Sequence, residues 1–261
     1  MTILVAKVEG IGFWADGLPS WEAARRFVAT GELPADAPAR PAPELLPPNE
    51  RRRAPGSVAV ALEAALAACR AAGADPATLP SVFASTHGDL GITDYICSTL
   101  ATDASSLSPT RFHNSVHNAA AGYWTIGTGS HAPATAISSY HGTFAQGLVE
   151  AMSQLGTGTP RVLLVAYDAP SAGPLAAVSG SEGLLGGALV LSRNPDPLLP
   201  RLRGTFVDAT APVPSGPLAR RLGANAMAPM LPLFQALASG EDLLLLNAGP
   251  DRALRVEIAH G

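Results

Sequence analysis

Hydrophobic positions along the chain fall into runs of two kinds, and the two kinds alternate. Short β-branched or near-continuous apolar runs predict strands at "TILVAKVEGIG" (2–12), "SVFAST" (81–86), "APATAISS" (132–139), "RVLLVAYDAP" (161–170), "GGALVLSR" (186–193) and "RLRGTFVDA" (201–209). "DLLLLNAGPDRALRVEIAH" (242–260) reads as a hairpin around a Gly-Pro-Asp turn. The run at 161–170 is apolar at nearly every position, which suits a central strand covered on both faces. Helical spacing appears in "SWEAARRFVATGE" (20–32, with Ser20 as cap), "ERRRAPGSVAVALEAALAACRAAG" (50–73, closed by Gly73), "DYICSTLATDASSL" (94–107), "TFAQGLVEAMSQLGTG" (143–158) and "ANAMAPMLPLFQALASG" (224–240, with Asn225 as cap). "FHNSVHNAAAGYWTIGTG" (112–129) begins as a loop and becomes a helix of small residues. Residues 33–50 are too rich in proline for regular structure and form a surface loop. Strand and helix alternating through the middle predict a layered α/β domain on a mixed, mostly parallel sheet.

Composition narrows the classes. Hydrophobic residues are 47% of the 261 and charged residues 15%, as in a compact folded chain. A net charge of −4 disfavours nucleic acid and anionic membrane surfaces as partners. No run reaches the roughly 20 apolar residues of a membrane span. The first residues lack the basic segment and apolar core of a signal peptide, so a cytoplasmic location is expected. Cys69 and Cys97 have neither metal-ligand nor disulfide spacing, and both are expected to be small buried apolar residues.

The candidate chemistry centres on residues 137–142, where an apolar strand turns sharply into a helix. Such turns present nucleophiles in many α/β enzymes, and this one carries His141 after Ser138 and Ser139. A helix N-terminus favours an anion rather than an imidazolium. A neutral imidazole would serve as a base toward either serine, but no nearby residue orients it; Asp168, one strand later, is the conceivable partner. His113 and His117 stand four apart, the spacing of helical metal ligands, without the Glu of the hydrolytic zinc motif. No metal and no other cofactor is expected. His87 and His131 follow element ends and read as turn residues. Arg51, Arg52 and Arg53 are the one marked basic run; they read as the solvated first turn of a helix or as a docking site.

The order of these pieces resembles the N-terminal half of a β-ketoacyl synthase, a thiolase-fold condensing enzyme. The resemblance rests on "LPPNERRRA" before the Ala-rich helix, the strand "VFAST" with Gly88, the block Asn118–Gly122 ("NAAAG"), the strand-to-helix turn, and "SEGLLGGALVLS" (181–192). It covers roughly residues 45–193 and implies a thiolase-like half. Residues 1–195 would form a β-ketoacyl synthase N-terminal-like domain, and 196–261 a short extension of helix and hairpin packed on it.

Two departures follow. The family's nucleophile is a cysteine at the turn, and alignment back from Val149 places His141 there. The family's second half carries two catalytic histidines, whereas beyond residue 195 this sequence has only His260. The resemblance therefore implies a non-catalytic subunit, similar to the short chain-length-factor-type proteins of aryl polyene or xanthomonadin-type pigment pathways. Such a subunit partners a full-length ketosynthase and an acyl carrier protein. On that basis Phe112, His113, Asn114, His117 and Asn118 belong to the segment that reaches the partner and lines its acyl pocket. Arg51–Arg53 would dock the acidic carrier. Two alternatives stand beside this: an acyl transferase or hydrolase using Ser139 and His141, and a homo-oligomeric acyl-binding protein.

Overall fold

The computed structural model describes residues 3–261. Strand β1 (Leu4–Ala15) runs three residues beyond its glycine pair at positions 10 and 12. Helix α1 (Trp21–Thr30) starts where Ser20 accepts a hydrogen bond from Ala23 N at 3.1 Å, as expected, and stops at Gly31 in the left-handed region. The Pro-rich loop gives way to a short helix, α2 (Pro48–Arg53), before α3 (Gly56–Ala71). These two replace the single long helix expected over 50–73. Pro55 forces its predecessor out of the helical region, and Ala54 sits at ψ 134°. The arginine run therefore lies in the last turn of α2, where positive charge is favoured by the helix dipole, and not in a first turn.

Next come β2 (Ser81–Ala84), α4 (Leu90–Thr102), α5 (Pro109–His113) and α6 (Ala119–Thr128). Phe112 and His113 thus close a short helix rather than lie in a loop. Then follow β3 (Ala134–Ile137), α7 (Thr143–Gly156), β4 (Arg161–Asp168), β5 (Leu185–Ser192) and β6 (Arg201–Val207). Helices α8 (Pro217–Leu222) and α9 (Leu231–Ser239) precede the hairpin of β7 (Leu243–Gly249) and β8 (Arg252–Ala259). The helix expected from Asn225 is split: a 3₁₀ turn covers Ala228–Met230 and α9 begins at Leu231, which leaves Pro229 and Pro232 in first-turn positions that need no N–H.

All eight strands join one sheet in the order β3-β2-β4-β5-β1-β6-β8-β7. The sheet is mixed as expected, but not mostly parallel. Only β2 with β3 and β2 with β4 are parallel; the other five pairings are antiparallel. Parallel pairing is confined to β2–β4, where helices connect the strands, and β1 pairs with β5 and β6 from much later in the chain.

Each face of the sheet has its own core. On one side α3 and α6 bury Val60, Leu62 and Trp124 against Phe83, Val165 and Tyr167. On the other, α7, α9 and α1 bury Leu148 and Phe234 against Leu164 and Leu189. Helix α3 rides directly on the β1 backbone: a Cβ at Gly12 would lie 1.9 Å from Ala64 O, and one at Gly10 would lie 2.2 Å from Ala68 O. Alanines on the helix and glycines on the strand make that approach possible. Cys69 is buried in α3 as expected, but Cys97 is exposed on α4, whose outer face it shares with Leu100. Among the described residues no helix is long and apolar enough to cross a membrane.

Candidate functional site

The three parallel strands β3, β2 and β4 end side by side, and ligands of open α/β sheets bind at such carboxyl ends. Asp168, the last residue of β4, is fully buried there. It accepts hydrogen bonds from Ser85 Oγ at 2.7 Å, from Thr86 N at 3.0 and 3.1 Å, and from His87 N at 3.3 Å. Burial pushes its carboxyl above the usual carboxylate range, against the pull of the Ser85 and Thr86 hydrogen bonds and of nearby His87. Burial, then the Asp168 charge, also pushes the neighbouring Tyr167 phenol up. Ser85 Oγ in turn accepts from Gly88 N at 2.8 Å, which fixes the turn after β2.

Both histidines of this end are held by the same loops. His117 Nε2 donates to Ser85 O at 2.8 Å, and His87 Nε2 shares a hydrogen bond of 2.8 Å with Ser179 Oγ. His117 therefore points at β2, while His113 lies against the Tyr123 ring with centroids 6.5 Å apart. The pair spaced four apart does not converge on one point. Among the described residues no group of three or more His, Cys, Asp and Glu is arranged to hold a metal ion.

The turn after β3 is stitched to its surroundings from both sides. Ser138 Oγ donates to Thr86 O at 3.0 Å. Buried Thr143 accepts from Ser139 N at 2.9 Å and donates to Tyr140 O at 2.6 Å. Between them a 3₁₀ turn, Tyr140–Gly142, carries the chain into α7. The left-handed backbone of the strand-to-helix step falls on Tyr140, at φ +48°, one residue before His141. Strained turns of this kind push their side chain outward, and Tyr140 is 52% exposed. The His141 ring lies against it, tilted by 51° with centroids 3.9 Å apart, and makes no hydrogen bond among the described residues. From the far end of the sheet β7 reaches the same turn: Ala248 lies over Gly142, and Gln146 Nε2 donates to Ala248 O at 3.2 Å.

Chemically, this turn has an exposed phenol and an exposed imidazole and no thiol. Ser139 engages Thr143 through its amide, and no hydrogen bond joins its hydroxyl to His141. Asp168 is committed to the loop after β2 and does not orient His141. Cys69 stands in α3, where burial, aided by Asp75, pushes its thiol up to about 12.

Most of the remaining sequence-predicted residues meet along α5. A groove of about 400 Å³ runs between α2, α5 and α6 and is lined by Leu46, Arg53, His113, Val116, Asn118 and Ile126, among others. Ile126 is 79% exposed. Phe112 is exposed beside it, and Asn114 is buried, accepting from Tyr123 Oη at 3.1 Å. Arg53 thus joins the segment 112–118, although nothing in sequence spacing links them. Its neighbours differ in role: Arg51 Nη2 donates to Leu46 O at 3.0 Å and holds the loop, while Arg52 is exposed and bonds Asn49. Sequence reasoning missed Thr110, Val116, Tyr123 and Ile126 as groove residues. The signal that could have found them is two large apolar side chains, Val116 and Ile126, set in otherwise small or polar runs.

The sequence matches the profile of the β-ketoacyl synthase N-terminal domain over residues 21–197. Among solved structures, a chain of the ketosynthase (ApeO) in complex with its chain length factor (ApeC) from Xenorhabdus doucetiae is similar at TM-score 0.77 and 22% identity, over 97% of this chain and 99% of that one. The ishigamide ketosynthase/chain length factor is similar at TM-score 0.71 and 16% identity, over 99% and 100%. AntDE:AntF, a type II PKS acyl-carrier protein in complex with its ketosynthase, is similar at TM-score 0.74 and 12% identity, over 100% of each chain. At these identities the likeness is one of fold. Among curated proteins, no sequence matches the chain.

Proposed function

The chain belongs to the β-ketoacyl synthase N-terminal-domain family, and from that premise we propose that it is a non-catalytic, chain-length-factor-type subunit of a full-length ketosynthase. The observation that carries this reading is the turn itself. Where the family's resemblance calls for a cysteine thiolate at a helix N-terminus, this chain offers Tyr140 in the left-handed position and a free-standing His141. Neither forms a nucleophile–base pair with a neighbour, and acyl transfer needs one.

The surroundings of that turn support a partner. Strand β3 is an edge strand: it pairs with β2 alone, and Ala134 and Ala136 are exposed. An unpaired edge invites another chain. Exposed Ile126 on α6 and Tyr140 in the turn that follows β3 lie next to it. The ApeO–ApeC and ishigamide structures each pair a ketosynthase with a chain length factor, and likeness to both supports the same arrangement here. In this reading the α5–α6 groove forms part of the wall that limits the growing acyl chain. Arg52 and Arg53 face an acidic acyl carrier protein, and Arg51 buttresses them. Polyene synthesis of the aryl polyene type, in the cytoplasm, is the setting that the short chain-length-factor resemblance suggests.

The test is co-expression with the ketosynthase encoded beside it, followed by size-exclusion chromatography with mass detection. A stable one-to-one complex, with condensing activity that this chain lacks alone, is the expected result. Absence of a complex, together with thioester turnover by the isolated chain that disappears in His141→Ala, would overturn it.

A further inference from the structure

The nucleophile–base pair that is missing at the turn after β3 is present two loops away. Between β4 and β5 the chain forms a loop, residues 169–184, that reaches the turn after β2. There Ser179 Oγ lies 2.8 Å from His87 Nε2. Among the described residues, neither the Ser179 hydroxyl nor the His87 ring makes any other hydrogen bond.

Both residues are fixed through their backbones. Ser179 follows a 3₁₀ turn (Pro174–Ala177). Its N donates to Leu175 O at 2.9 Å, and its O accepts from Ser171 Oγ at 2.7 Å. Ser171 N donates to Ser181 O at 2.8 Å, so the loop closes on itself. Asn225 Nδ2 fastens its far end by donating to Glu182 O at 3.0 Å and Gly183 O at 2.9 Å. On the other side, buried Asp168 accepts from Thr86 N at 3.0 Å and from His87 N at 3.3 Å. A hydroxyl and an imidazole set together in this way need little further ordering to react.

Three further features suit acyl chemistry. Ser179 and His87 are half-buried, so both keep a solvent-facing part. Gly180, next after the serine, is exposed, and its N–H has no acceptor among the described residues. A backbone donor in that place is what an oxyanion needs. Leu175 and Val178, 46% and 74% exposed, flank the serine with apolar surface for a short alkyl chain.

We propose that Ser179 and His87 form a nucleophile–base pair that hydrolyses short-chain acyl esters. With its own proton on Nδ1, His87 takes the Ser179 proton at Nε2 as Oγ adds to the acyl carbonyl carbon, and the oxyanion forms beside Gly180 N. The bond from the acyl carbon to the leaving oxygen then breaks, His87 gives its proton to the departing alcohol, and an acyl-serine remains. Water next gives a proton to His87 and its oxygen to the acyl carbon. The bond to Oγ breaks, Ser179 recovers its proton, and the carboxylic acid departs. This reaction is separate from condensation and needs neither the ketosynthase nor a carrier protein.

The purified full chain is treated with p-nitrophenyl butyrate and, separately, with a fluorophosphonate that modifies activated serines; peptide mass mapping locates the adduct. The expected result is ester turnover above the buffer rate and one adduct per chain, on Ser179. Ser179→Ala should abolish both. His87→Gln leaves the hydroxyl a hydrogen-bonding neighbour but no base, so in the folded variant turnover and adduct formation should fall about a hundredfold or more. Ser98→Ala, exposed on α4, should leave both unchanged. A folded parent chain that neither turns over the ester nor takes up the label would overturn the inference, as would labelling of Ser179 at the parental rate in His87→Gln. Either result leaves the ketosynthase-partner reading standing. Turnover that survives Ser179→Ala and disappears in His141→Ala would overturn both.

Discussion

Ser85 Oγ donates to Asp168 Oδ1 at 2.7 Å across the carboxyl ends of two adjacent parallel strands, and that bond is the root of the site. From it hang the turn after β2, the backbone of Thr86 and His87, and through Thr86 O the Ser138 hydroxyl after β3. Replacement Asp168→Ala leaves one buried hydroxyl and two part-buried amide donors without that acceptor. The expected cost is about 2–4 kcal/mol, read as a lower urea midpoint at unchanged slope. A loss below about 0.5 kcal/mol, the level of an ordinary surface change, would show that the cluster is not a structural hub.

A pH effect is expected at Glu63 on α3. Burial raises its carboxyl above the ordinary value, and the Ala42 N–H opposes the rise only in part. One of its oxygens, Oε2, is buried without a partner. A raised native pKa means that the stability this group contributes is fully present below the unfolded value and is lost as pH rises through the native one. Glu63→Gln keeps the amide contact and removes the charge. The variant should match the parent near pH 4 and exceed it in thermal midpoint at pH 7. Equal midpoints at both pH values would show that the buried charge costs nothing.

The edge strand yields a test of association that leaves the monomer intact. Ala136 is exposed on β3, and a lysine there puts a charge on the strand without entering either core. Charged residues on edges block strand pairing. Ala136→Lys should abolish the complex with the ketosynthase at micromolar concentration while the unfolding midpoint of the isolated chain stays within about 1 °C, as for a surface change. Retention of the complex would move the interface elsewhere.

At the turn, the two adjoining rings have separable roles. On the proposed non-catalytic reading, His141→Ala should leave the condensing rate of the complex within about twofold. Tyr140→Gly relieves a left-handed backbone that costs a non-glycine residue roughly 1–2 kcal/mol, so the isolated chain should not lose stability. The complex should weaken, because an exposed aromatic ring beside the edge strand is removed. A loss of condensation in His141→Ala of a hundredfold or more would make the histidine a base.

Much of this fold could be read from local pattern. The Ser20 cap, the Gly31 stop and the uninterrupted apolar run of β4 each announce their element within a few residues. What escaped reading was set by distance or by one dominant residue. The antiparallel partners of β1 lie some 180 residues downstream, so strand direction left no local trace. Pro55 broke a run of helix-forming residues, charged in 50–54 before it and Ala-rich in 57–71 after it. Cys97 faces outward because α4 is apolar around much of its circumference, and periodicity there selects no inner face. At the site, the turn was legible as a strand meeting a helix, but its left-handed residue was not, because no glycine marks it. Asp168 was visible as an acid closing a buried strand, yet its partners come from a loop more than 80 residues away. Arg53 was visible in its basic run; Arg111 was passed over as an isolated charge, and only the fold sets the two on one cleft.

The bare edge of β3 also bears on how much of this chain a cell can safely hold. Extended backbone with free donors and acceptors recruits whatever strand meets it first, including those of nascent or damaged chains. If the chain pairs as proposed, every molecule made in excess of its companion carries that liability, whereas a molecule already seated does not. Synthesis of the two would then have to be matched in amount and timing, and a shortfall of the companion would surface as insoluble protein before it surfaced as lost product.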